Sequence, residues 1–174
     1  MTSPSAPLLS PFIIGQIVGL SASGAWAASS LGNGPFNVVT ALEKYSSLSP
    51  SSKSAIIGPS FFGMGRPAFL ASVALTAGGY LTAYFTGPNT TPIEHSRLLL
   101  LGAGTTIVAL LHTRAFMVPL YKRIGDSSSL VGEGAEARWA GLVKRFYRGN
   151  SLRVSLFLLA YGCGVYGLAK TIIV

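Results

Sequence analysis

The chain has 174 residues, enough for one domain, of which 49% are hydrophobic and only 10% charged. Soluble domains carry about 25% charged residues, so too little charge is present to cover a water-facing surface, and the composition points to a membrane protein. The net charge of +8 does not point to nucleic acid, because the basic residues sit between apolar runs rather than interleaved with aromatics on a polar face.

A helix crossing hydrocarbon needs about 20 mainly apolar residues. The first such run, 12–31, carries no charge. Its "SASGAWA" ending has the small-residue pattern of a signal-peptide cleavage site. However, the preceding "MTSPSAPLLSP" lacks the positive residues that such peptides carry, so the run reads as a retained span. Gln16, Gly19, Ser23, Trp26 and Ser30 step by three or four and make one face of small and polar residues. "GQIVG" is a Gly-x-x-x-Gly pair that lets helix backbones approach closely. The face suits packing first and a ligand contact second.

The first connection holds Lys44, Lys53 and Arg66. A second uncharged run, 67–86, opens at Pro67, a residue suited to the first turn of a helix. Thr76, Tyr80 and Tyr84 lie on one of its faces, where tyrosines can serve as interfacial belt residues. The second connection holds Arg97 and the glycosylation acceptor pattern "NTT" at Asn89.

The third run, 98–120, contains His112 and Arg114. An imidazole titrates near 6.5 unperturbed, so His112 could be a neutral base. The plainer alternative is a histidine satisfied by a neighbouring carbonyl near the interface. Thr105 shares its face. Arg114 lies about 200° further round the helix and suits snorkelling to the headgroups.

The third connection starts rich in Ser and Gly, then becomes basic and amphipathic over 135–149. Trp139, Leu142, Val143 and Phe146 recur at helical spacing, away from Lys144, Arg145 and Arg148. The segment is either a helix lying on an anionic surface or a cytoplasmic extension of the fourth span. That span, 152–173, has Arg153 at its start and Lys170 near its end. Phe146, Asn150, Arg153, Phe157 and Tyr161 form a stripe across the junction. Asn150 and Arg153, one turn apart, could clamp an oxygen-rich group or tie the helix to the end of the third span. Cys163, the single cysteine, reads as a small buried hydrophobe and rules out an internal disulfide.

Basic residues set orientation. The first and third connections together hold nine, while Arg97 and Lys170 make two on the other side. The expected fold is therefore all-α: one integral, multi-pass domain, a four-helix transmembrane bundle with the first and third connections in the cytoplasm and both termini on the same, opposite side. His95 and His112 are the only histidines, and no metal constellation, phosphate loop or nucleophile–base pair is visible.

Three features resemble the anthrone oxygenase-like family of small four-span membrane proteins: "GQIVGLSASGAWAASSL" in the first span, "FMVPLYKRI" closing the third, and "LVKRFYRGNSLRVSLFLLAYGCGVYGL". The last is similar to the family's aromatic-x-x-x-Asn-x-x-Arg opening of a Gly-rich final span. Pro119, Asn150 and Arg153 match the pattern, whereas Tyr121 stands where the family often has Asn and Phe146 where it often has Trp. The resemblance implies oxidation of a polyketide anthrone to an anthraquinone by dioxygen, in secondary metabolism and without a cofactor. His112 would be the base, and Arg153 and Asn150 would face the developing enolate oxygen. Gln16, Trp26, Tyr121 and Phe157 would hold a small hydrophobic aromatic substrate, in the endoplasmic reticulum or another endomembrane. Two further readings carry different expectations. One is a non-catalytic scaffold or accessory subunit held by its small-residue faces. The other is a small-molecule carrier with Gln16, His112 and Arg153 along its path.

Overall fold

The computed structural model describes residues 10–31, 39, 41–43, 47–89 and 91–173. Lys44, Thr90 of the "NTT" pattern, the stretch before Ser10 and the side chain of Ser30 lie outside the described residues. Among the described residues the fold is all-helical, and four helices are long and apolar enough to cross a bilayer.

Helix α1 is Pro11–Leu31. Ser10 caps it, accepting the Ile13 amide on its Oγ at 3.4 Å, and Pro11 fills the first position, where a missing N–H costs nothing. The same Ser-Pro device opens α2, Pro50–Ser60, with Ser49 Oγ accepting the Ser52 amide. Helix α2 does not stop before the second predicted span. It runs through a π turn, Phe61–Gly65, into α3, Arg66–Thr86. Pro67 therefore widens a helix rather than starting one. A proline ring crowds the carbonyl four residues back, and the chain answers with a longer bond, Arg66 N–H to Phe61 O. Pro119 repeats the device. Helix α4, Ile93–His112, passes through a π turn, Thr113–Met117, into α5, Val118–Ile124, with Val118 N–H donating to Thr113 O.

Helix α6, Ala135–Ile173, spans 39 residues without a break. The amphipathic stretch 135–149 is thus an extension of the last span and not a separate surface helix. Its apolar stripe faces protein: Trp139, Val143 and Phe146 are buried against Ile57, Phe61, Tyr121, Ile124 and Leu130.

The four long helices pack in the cyclic order α1, α3, α4, α6. Contact between α1 and α3 is backbone on backbone. A Cβ on Gly15 would lie 2.6 Å from Gly79 O, and one on Gly79 2.6 Å from Gly19 N, so the Gly-x-x-x-Gly pair is used for close approach. Tyr80 fills the centre, with its ring against Gly19, Gly102 and Gly164 on the three other helices. On α3 the buried face is Phe69, Val73, Thr76, Tyr80 and Ala83, whereas Tyr84 is exposed. Steps of four only, as in Thr76, Tyr80 and Tyr84, drift about 40° per turn and leave the core.

The first and third connections meet at one end of the bundle. Ser54 Oγ donates to Ile124 O at 2.5 Å. Trp139 Nε1 donates to Glu43 Oε1, and Lys53 lies 3.8 Å from the same carboxylate. Arg138 closes the turn before α6 by donating to the carbonyls of Ser129, Val131 and Glu133. At the far end Phe12, Gly87, His95 and Gly167 gather.

Candidate functional site

Toward the capped end two buried polar side chains of α6 meet. Arg153 on α6 is 2% exposed, and so is Asn150 one turn before it. Arg153 donates through an Nη to Asn150 Oδ1. The guanidinium carbon lies 5.6 Å from the centroid of the Trp26 ring on α1 and 5.3 Å from that of Phe69 on α3. These contacts stabilise a desolvated cation by about 2 kcal/mol. Among the described residues no carboxylate lies within salt-bridge distance of Arg153. A full positive charge is therefore held away from water by one neutral amide, the Tyr121 hydroxyl and two ring faces, with no anion among the described residues to neutralise it, which makes the position attractive to one.

Two aromatic groups wall this charge. On one side, Trp26, Phe69 and Phe157 have ring centroids 5.1 to 6.1 Å apart. On the other, Tyr121 on α5 stacks on Phe61 and meets Phe146 edge-on. Tyr121 turns its phenol oxygen toward the Arg153 guanidinium, and among the described residues nothing accepts its O–H. Trp26 Nε1 and Arg153 Nε are also buried and unpaired. An unmet buried donor costs about 1–3 kcal/mol, so two beside the cation and one on it form a place that gains from an incoming oxygen.

The fold thus brings together Trp26, Tyr121, Asn150, Arg153 and Phe157. The stripe predicted on the last helix holds from Phe146 to Phe157 and then leaves the core, since Tyr161 is exposed and covers Gly24. Gln16 is placed elsewhere. It lies ten residues before Trp26, about 15 Å along the helix, and its Oε1 is 3.2 Å from His95 Nε2 at the far end.

His112 is half-buried, with Nε2 3.1 Å from Gly149 O, one residue before Asn150. It lines a cavity of about 370 Å³ with Phe116, Met117, Arg123, Arg145 and Gly149. A carbonyl only accepts, so in the neutral ring Nε2 carries the proton and Nδ1 is the acceptor. Arg114 is exposed. Asn89 is exposed in the turn after α3.

Two buried residues, one apolar and one polar, are not singled out by the one-dimensional pattern. Phe69 is one aromatic among many in the sequence, and its stripe with Val73, Thr76 and Tyr80 is the available signal. His95 sits between Glu94 and Arg97, which reads as a loop, yet it is 5% exposed beneath Phe12.

A four-helix membrane protein with a buried cation and unpaired donors at one end is the class that these features define. Residues 59–163 match the family model described as anthrone oxygenase, and the chain belongs to that family. The match covers both π turns, Tyr121, Asn150 and Arg153, and leaves out α1 with Trp26. No curated protein and no solved structure matches the chain.

Proposed function

We propose that the protein oxidises an aromatic anthrone to the corresponding anthraquinone with dioxygen, within the membrane and without a bound cofactor. Support comes from the three unpaired donors around Arg153: Trp26 Nε1, Tyr121 OH and Arg153 Nε. An anthrone becomes reactive when a proton leaves its methylene carbon and charge moves onto the carbonyl oxygen. Donors that are unmet beforehand favour that anion over the neutral ketone, which is the condition for catalysis rather than tight substrate binding.

The reaction balances without another reductant. His112 Nδ1 takes the methylene proton. The carbanion gives an electron to dioxygen, and the resulting pair joins as a carbon–oxygen bond. The peroxide so formed is protonated. Loss of the second methylene proton then breaks the oxygen–oxygen bond, leaving the new carbonyl and one water. Asn150 is a positioning residue, since its Oδ1 receives the guanidinium and fixes where Arg153 points. Trp26, Phe69 and Phe157 supply ring faces for a flat substrate. Gln16 takes no part in this reading. The basic, capped end is assigned to the cytoplasmic side by the excess of Lys and Arg in its connections; the organelle assigned is the endoplasmic reticulum or another endomembrane.

The test is turnover of a simple anthrone by protein in lipid nanodiscs, followed by quinone absorbance and oxygen uptake in equal amounts. Wild type should exceed empty nanodiscs by orders of magnitude. No acceleration with any anthrone removes the activity. Acceleration that survives both Arg153→Ala and His112→Ala removes the site.

A further inference from the structure

The cavity beside His112 continues past the end of the apolar span. A second cavity of about 420 Å³ adjoins it, and Arg123 of α5 and Arg145 of α6 line both. Both arginines are exposed, and among the described residues neither has a carboxylate within salt-bridge distance. Above them the wall is apolar: Pro119, Leu120 and Phe116, whose ring is 67% exposed. Between Lys122 and Arg148 stand six basic residues against three acidic ones. One of the acids, Asp126, lines the second cavity.

We infer that this groove binds one anionic phospholipid, its phosphate between Arg123 and Arg145 and an acyl chain along Phe116 and Leu120. Either arginine alone would suit a free phosphate. The apolar wall continuous with the cation pair is what selects a lipid, since a phosphate ion gains nothing from it. Helix ends that place basic pockets next to exposed apolar surface recognise anionic headgroups in this way. Phe116 lies within the π turn Thr113–Met117 and faces out, while its neighbour Met117 is buried against Gly149. Asp126 opposes the phosphate and sets a limit on affinity. The groove shares its first cavity with His112, but the lipid contacts use none of the groups assigned to the oxidation, and the test does not use turnover.

Delipidated protein in neutral detergent is titrated with phosphatidylserine, phosphatidylcholine or inorganic phosphate, and bound lipid is counted by native mass spectrometry. Phosphatidylserine should bind at one equivalent and phosphatidylcholine much more weakly. Each of Arg123→Gln and Arg145→Gln should weaken phosphatidylserine about fivefold, and Asp126→Asn should strengthen it. Lys144→Gln with Arg148→Gln, which removes two charges from positions that line neither cavity, should leave it unchanged. Equal loss in that control variant, or equal binding of phosphatidylcholine, overturns the site. Displacement of the lipid by millimolar inorganic phosphate overturns the lipid assignment.

Discussion

Two tyrosines are fully buried at the two levels of the bundle, and they are used in opposite ways. Tyr80, at mid-height, donates to Ala160 O at 2.8 Å and has Ser23 Oγ at 3.5 Å. Its ring fits against glycines of three helices. Tyr121, at the capped end, is equally hidden, but it meets only the Arg153 cation and its O–H finds no acceptor among the described residues. A saturated hydroxyl contributes to stability. An unsatisfied one is a cost that a folded protein carries only where something else offsets it. The contrast sets a hydroxyl saturated inside a packed centre against one whose O–H is left open beside a buried cation.

The largest expected effect tests the second level. Arg153→Ala should lower anthrone turnover by about 10²–10³-fold, the range for loss of one oxyanion donor, in the quinone absorbance assay. Next comes packing around Tyr80. Gly19→Val sets a branched side chain where a Cβ would already lie 2.6 Å from the Tyr80 ring. It should cost about 1–3 kcal/mol, read as a lower Tm in nanodiscs with turnover per folded molecule retained. The paired hydroxyl deletions sharpen the comparison. Tyr121→Phe should slow turnover about tenfold and leave Tm unchanged or raised, because an unmet polar group is removed. Tyr80→Phe should do the reverse, lowering stability by about 1 kcal/mol with the rate intact. If both variants behave alike, the two levels do not differ in role. The smallest effect lies at the cap. Glu43→Gln keeps an acceptor for Trp139 and removes only the charge facing Lys53, so it should lower stability by less than about 1 kcal/mol.

The spans were legible because hydrocarbon demands long apolar runs. The packing faces of α1 and α6 were legible because polar and small residues recur at helical spacing. Continuity through Pro67 and Pro119 was not, since proline ordinarily marks a helix start or end, and a π turn has no compositional sign. For the same reason the apolar stripe of 135–149 could be assigned to either lipid or protein. Its true partners, Phe61 and Tyr121, come from segments that reach it only after those turns. Tyr121, Asn150 and Arg153 were legible as candidates through the family likeness. That three of the cluster's donors lack partners depends on depth and angle, which no linear pattern encodes.

The wide turn at Thr113–Met117 amounts to one surplus residue wound into an otherwise regular rod. Excising one of those five would let the rod rewind at ordinary pitch, whereas excising a residue just after them, where none is surplus, would swivel everything beyond it by about 100°. Tyr121 and Arg123 would then swing away from Asn150 and Arg145 together, while His112 and all that precedes it stayed in place. Chain length at this spot, as much as residue identity, holds the two ends of the site in register.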